Sequence, residues 1–141
     1  MTTCDAAQRP TGLTASAFSS VSLDPPLVLI CVDHKSNSFP HLRDSGKFAI
    51  NILHCDHESL SRRFASSRID NKFDGVAYRV STLGLPLLDT ALATLECQTV
   101  NAHVEGDHTI FVGRVEAVTV GDGEPLVYYR GRYHRLRGEQ A

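Results

Sequence analysis

Ala93-Thr94-Leu95-Glu96-Cys97-Gln98-Thr99-Val100-Asn101-Ala102-His103-Val104, then Glu105-Gly106-Asp107, then His108-Thr109-Ile110-Phe111-Val112-Gly113-Arg114-Val115-Glu116-Ala117-Val118-Thr119-Val120 is the stretch that decides the fold. Two long strand-like runs flank a Gly-Asp pair. Glycine supplies the positive φ that a tight hairpin turn needs, so the stretch reads as one long antiparallel hairpin. Upstream, Leu27 to Val32 is a short apolar run bounded by Pro25-Pro26 and Asp33, the pattern of a buried strand. Phe48 to Leu53 is another, entered through the turn signal Ser45-Gly46. Downstream, Leu126 to Tyr129 makes a last strand after Gly121-Asp122-Gly123, and Arg132-Tyr133-His134 is expected to extend it past Gly131. Two short helices fit between strands. Ser36 to Asp44 tolerates Pro40 only in a first turn, and His57 to Ala65 sets Leu60 and Phe64 on one face. The expected class is mostly β with a few short helices. Closing such a sheet into a barrel removes its edges, but the pattern alone does not choose between barrel and sandwich.

The chain has 141 residues, enough for one domain with a real core and no staples. Apolar residues make up 42% and charged residues 21%, which is ordinary globular composition. A net charge of −2 provides no basic field for nucleic acid or an acidic membrane. The longest strongly apolar run, Leu27 to Val32, is far short of a membrane span, and the first residues lack the pattern of a signal peptide. A cytoplasmic protein is expected. Cys4, Cys31, Cys55 and Cys97 form no CxxC pair and read as free thiols, three of them in or near the core.

Several stretches could carry chemistry. Thr11 to Ser22 holds six hydroxyl residues in twelve and runs into the Leu27 strand. Small hydroxyls let a flat ligand approach the backbone and offer uncharged donors to it, although an ordinary Ser/Thr-rich loop has the same composition. Asp33-His34-Lys35-Ser36-Asn37-Ser38 opens a helix, as a phosphate site or as a simple N-cap by Ser36 or Ser38. His108, just past the hairpin turn, can donate a proton near neutral pH or be a plain surface histidine. His54-Cys55-Asp56-His57 invites a metal reading, but no matching half-site follows, so no metal is expected. Tyr128, Tyr129, Tyr133 and His134 could stack on a ring or cover a barrel end. There is no GxGxxG, no GxxxxGK[ST] and no GxSxG, so a nicotinamide would have to bind without a dinucleotide-binding βαβ unit.

Thr11 to Leu29, TGLTASAFSSVSLDPPLVL, resembles the signature of the flavin reductase-like family, the small reductase components of two-component flavin-dependent monooxygenases. The likeness continues at Ser45 to Leu53, Lys72-Phe73, Leu83 to Leu87, Gly106 to Val115 and Leu126 to Leu136, in matching order. The resemblance implies an FMN-binding split β-barrel, a homodimer, and reduction of FMN or FAD by NADH or NADPH. The hydride passes directly to the flavin, and reduced flavin goes to a partner monooxygenase. A flavin-binding module without turnover is the alternative. By the same resemblance, Thr14, Ala15 and Ser16 line the flavin with Ser19, Ser20 and Ser22, and Val32, Lys35, Ser36 and Ser38 lie near its ribityl or phosphate end. Asp24-Pro25-Pro26 turns the chain, His108 sits beside the nicotinamide, and Tyr133 and His134 help close the pocket. Family members carry a further helix and most of a first strand before Thr2-Thr3. The resemblance therefore implies one domain over residues 1–141 that begins inside that strand, with unpaired backbone on its neighbour.

Overall fold

A computed structural model describes residues 1–136. The strands are β1 (Thr2–Cys4), β2 (Pro10–Gly12), β3 (Phe18–Leu23), β4 (Pro26–Asp33), β5 (Lys47–Leu53), β6 (Tyr78–Val80), β7 (Pro86–Leu88), β8 (Ala91–Glu105), β9 (His108–Val120), β10 (Val127–Tyr129) and β11 (Arg132–His134). The helices are α1 (Phe39–Ser45) and α2 (Glu58–Ala65). Pro40 sits in the first turn of α1, where its missing N–H costs nothing.

The quoted hairpin forms the middle of the molecule. Glu105 pairs with His108, leaving Gly106-Asp107 as a two-residue loop. Gly106 adopts φ 63°, and Asp107 keeps a negative φ, the pattern of a II′ turn. Arg132 to His134 does not extend the last strand. Arg130 and Gly131 both take positive φ, 50° and 75°, so the chain reverses and β11 folds back on β10. Two consecutive positive φ values define the I′ turn favoured between two-residue-linked strands.

Seven strands form one antiparallel sheet in the order β2-β1-β5-β8-β9-β4-β3. A connection decides its shape. Laid flat at ~4.8 Å per strand, the two edges β2 and β3 would stand about 29 Å apart. Yet β3 follows β2 after only residues 13–17, and the six Cα steps from Gly12 to Phe18 span at most about 21 Å. The sheet must therefore curl until its edges approach. The result is a barrel-type sheet split along one seam, with the segment Leu13 to Ala17 bridging the split. This is the split-barrel type of fold, and the sheet is not hydrogen-bonded into closure.

Register sorts the side chains. Val28, Ile30 and Val32 of β4 point inward with Phe111 of β9 and Phe48 of β5, and all five are buried. β5 is covered on both faces, which explains its near-continuous apolar run. Its other face packs Ala49 against Leu85 and Leu87 beside the β6–β7 hairpin. Asn51, the polar residue inside that run, donates to Thr2 Oγ1 at 3.0 Å and accepts Leu88 N–H at 2.9 Å. It thus ties β1, β5 and β7 together with its own polar atoms satisfied. Leu60 and Phe64 face the sheet from α2, and Phe64 meets Phe73 edge-on at 5.0 Å. All four cysteines are free. Cys4, Cys55 and Cys97 are buried and Cys31 half-buried.

Candidate functional site

The curled sheet encloses a cavity of about 460 Å³ on its inner face, within the range of small-molecule and cofactor sites, roughly 300–1,000 Å³. Ile30, Ile50 and Ile52 supply its floor, Leu60 and Phe64 of α2 one wall, and Tyr128 and Tyr133 of the β10–β11 hairpin its cover. Thr14, Ala15 and Ser16 form the remaining side, along the seam. No acidic or basic side chain of the described residues lines it.

The seam segment is fastened to α2. Thr14 Oγ1 donates to Ser61 O at 2.6 Å, and Thr14 N–H donates to Phe64 O at 3.3 Å. The Lys72 ammonium reaches both Gly12 O at 3.2 Å and Phe64 O at 2.9 Å, and burial lowers its pKa. The cover is held similarly. Ser61 Oγ and Tyr133 OH are hydrogen-bonded at 2.8 Å, Arg62 stacks its guanidinium 4.9 Å from the Tyr133 ring centre, and Tyr128 and Tyr133 lie 5.0 Å apart. Ser16 is exposed at the cavity rim, and among the described residues no hydrogen bond occupies its hydroxyl.

A second feature adjoins the seam. β3 begins at Phe18 opposite Ile30, and the bond from Cys31 N–H to Ala17 O ends the pairing on that side. The last residues of β4 therefore run past β3, with Ser16-Ala17 on one flank. On the other flank Asp33 pairs with His108. The turn after β4 is pinned by Lys35 N–H donating to Asp33 Oδ1 at 2.8 Å and Ser36 N–H to Asp33 O at 3.0 Å. Asp107 Oδ1 lies 2.7 Å from His108 Nδ1, and this bond holds the Asp107 carboxyl below its usual pKa. Ser16, Lys35, Ser36 and His108, scattered in sequence, thus gather at the C-terminal end of β4.

Other expected site residues sit elsewhere. Val32 is 1% exposed and part of the core, because it falls on the inward register of β4. Ser38 is also 1% exposed. It caps α1 with its backbone only, while its hydroxyl donates to Gly12 O at 2.8 Å and lies 3.0 Å from Thr11 Oγ1. Its side chain joins α1 to β2 and is turned away from solvent. Ser19 lies on the outer face opposite Leu29, Ser20 opposite Val28, and Ser22 beyond the bulge at Val21, and none of the three lines the cavity. His134 is exposed, its ring 3.3 Å from Tyr129 O. His108 shares the outer face with Asp33, the opposite side of the sheet from the cavity. Sequence reasoning missed Phe18, Asn51 and Ser61. Asn51 was visible as a polar residue within an apolar run. Ser61 had no comparable signal, because its role depends on which turn of α2 meets Tyr133.

A curled antiparallel sheet with a cofactor-sized cavity, free of charged side chains and open at the Thr14–Ser16 seam, defines a β-barrel-type domain with a small-molecule pocket. The family model of the flavin reductase-like domain matches residues 1–137, and the chain belongs to that family. An NADH-dependent flavin reductase from a Rhodococcus species is 44% identical over 125 residues, covering 89% of this chain and 69% of that protein. The reductase subunit of a flavin-dependent monooxygenase from Mycobacterium tuberculosis is 37% identical over 134 residues, covering 93% and 71%. Among solved structures, an NADH:FAD oxidoreductase of Streptomyces globisporus, in complex with NAD and FAD fragments, superposes with a TM-score of 0.91 at 36% identity over 99% of this chain and 84% of that one. Among the described residues, no helix is long and apolar enough to cross a membrane.

Proposed function

We propose that this chain is an NADH-dependent flavin reductase that supplies reduced FMN or FAD to a monooxygenase component, working in the cytoplasm as a one-domain homodimer. The observation that carries the reading is the cofactor-sized cavity with no charged side chain in its lining, open along the Thr14–Ser16 seam; the Asp33–Ser38 turn and His108 lie past the same strand end, with His108 on the outer face. Family membership supports the same assignment.

The residues present suit a flavin. The free Ser16 hydroxyl and the adjacent backbone at the seam offer donors to the polar edge of a ring, while Thr14 is committed to α2 and fixes the segment's position. Lys35, exposed on the turn after β4, provides the cation for a phosphate end. Tyr133 excludes water from the cavity side and is itself held by Ser61 and Arg62. When bound, the flavin supplies the hydride-accepting chemistry. His108, oriented by Asp107, positions the nicotinamide by a hydrogen bond, so its contribution is alignment of two rings. Leu29, Cys31, Ile110 and Val112 share the outer face near His108, and this is the surface assigned to the second protomer.

The test is anaerobic NADH oxidation by the purified chain with and without FMN or FAD. Oxidation that requires added flavin supports the proposal. A folded chain that binds flavin without oxidising NADH would leave it a binding module. His108→Ala is expected to slow single-turnover flavin reduction by about tenfold or more while changing flavin affinity less than threefold. Equal reduction rates would remove His108 from the mechanism.

A further inference from the structure

His54, Cys55, Asp56 and His57 make up the single turn between β5 and α2, closed by His57 N–H donating to His54 O at 2.9 Å. A β-turn brings its first and last Cα within ~7 Å, so four consecutive donor-bearing side chains share one small volume. Three of them already converge. Cys55 Sγ lies 3.7 Å from His54 Nδ1 and 4.0 Å from Asp56 Oδ1, and Asp56 Oδ2 lies 3.4 Å from His54 Nδ1. Ligands bound tetrahedrally at ~2.0–2.3 Å stand about 3.3–3.6 Å from each other. Asp56 enters these distances with both of its oxygens, and one ligand atom from each of the three residues lies within 4.8 Å of the others, so the side chains approach the spacing of one tetrahedral face. Independently, His57 Nδ1 is buried with no hydrogen-bond partner, and the His57 ring lies edge-on to that of His54 at 5.8 Å. A buried ring nitrogen without a partner has lost its hydration for nothing in return unless a ligand comes to it.

We propose that this turn is a binding site for a zinc-class divalent cation, held by His54 Nδ1, Cys55 Sγ and the Asp56 carboxylate, with His57 Nδ1 turning in as the fourth ligand. The mixed N, S and O donor set suits a borderline-soft ion and not magnesium or calcium. A cationic group already tests the site. Arg135 sets Nη1 3.3 Å from Cys55 Sγ and pairs Nη2 with Asp56 Oδ1. Both cations draw on Cys55 Sγ and the Asp56 carboxylate and so compete, and the ion also takes the His54 Nδ1 lone pair from the long bond that Asp56 N–H donates to it at 3.3 Å. On binding, the sulfur–metal bond forms, the thiol proton leaves to solvent, and Arg135 is released. Arg135 follows β11, so its release also frees the end of the hairpin that carries Tyr133.

Cobalt(II) titration of the full chain tests the site by its thiolate-to-cobalt charge-transfer absorption, a readout separate from flavin turnover. The expected result is a signal saturating at one equivalent, absent in Cys55→Ser, retained in Cys31→Ser and displaced by zinc. Arg135→Ala is expected to tighten cobalt binding by about tenfold, since it removes the competitor. This gain does not depend on the folding of the cysteine variant. Absence of a Cys55-dependent band at millimolar cobalt overturns the proposal, as does unchanged or weaker binding by Arg135→Ala.

Discussion

Gly113→Ala should destabilise the protein although it adds one methyl group. Gly113 lies in β9 between Val28 of β4 and Thr99 of β8, on the inward face. A Cβ built there stands 2.5 Å from Phe48 Cζ, 2.9 Å from Phe48 Cε1 and 2.8 Å from Cys97 Cβ. Phe48 and Cys97 are both 0% exposed, so neither can swing into solvent. Removing glycine's backbone freedom favours alanine by roughly 0.5–1 kcal/mol in a strand. Overpacking a closed core costs roughly 1–3 kcal/mol, and contacts this short belong at the upper end. The steric cost wins, with a net loss of about 2 kcal/mol. At about 3–5 °C per kcal/mol for a chain of this size, thermal unfolding should fall by about 6–10 °C. Phe48→Leu removes two of the three clashing atoms, leaving Cys97 Cβ at 2.8 Å, and on its own costs about 1–2 kcal/mol. In the double variant the losses should fall short of their sum by at least about 1 kcal/mol. Calorimetry or urea unfolding of the four proteins gives the cycle. Additive losses, or a Gly113→Ala midpoint within a degree of the parent, would refute the steric account.

Burial raises the Cys97 thiol from 9.0 to about 12, with Glu116 and Glu96 adding to the effect. Between those values the unfolded chain has released a proton that the native state keeps, so stability should decline as pH rises from about 9 towards 12. Cys97→Ala should flatten that decline in urea midpoints measured against pH, and an unchanged slope would assign it to other groups. Tyr133→Phe removes the hydroxyl bonded to Ser61 and should raise the flavin dissociation constant about 2- to 10-fold, by fluorescence titration. Identical affinity would take Tyr133 out of the cavity's closure. Ser38→Ala takes the buried partner from Thr11 Oγ1 and one of two side-chain donors from Gly12 O, which keeps Lys72, and should cost about 1 kcal/mol in unfolding free energy. A loss below about 0.3 kcal/mol would mean that water replaces it.

The elements were legible because their signals are local. The β8–β9 hairpin follows from Gly106, α1 begins beside Pro40 because proline tolerates only a first turn, and Leu60 and Phe64 mark the buried face of α2. Composition marked Thr11 to Ser22 as a hydroxyl-rich stretch, and only the family resemblance singled out Thr14-Ala15-Ser16 within it. The parity of Val32 was not legible, because one step along β4 separates an inward from an outward side chain and only pairing with β9 sets it; nor was the burial of Ser38, which depends on β2 packing against the start of α1. The reversal at Arg130-Gly131 was missed because an arginine at positive φ carries no strong local mark.

By itself, then, the sequence determined β4, β5, β8, β9 and β10, the central hairpin, the family resemblance and the segments worth suspecting. The tertiary structure alone decided that the sheet curls, that its split falls at residues 13–17, and that Ser16, Lys35 and His108 meet at one strand end. Those are long-range facts. They arise because a five-residue connector is too short to span a flat seven-stranded sheet, and no local pattern records where the two edges of a curled sheet come together.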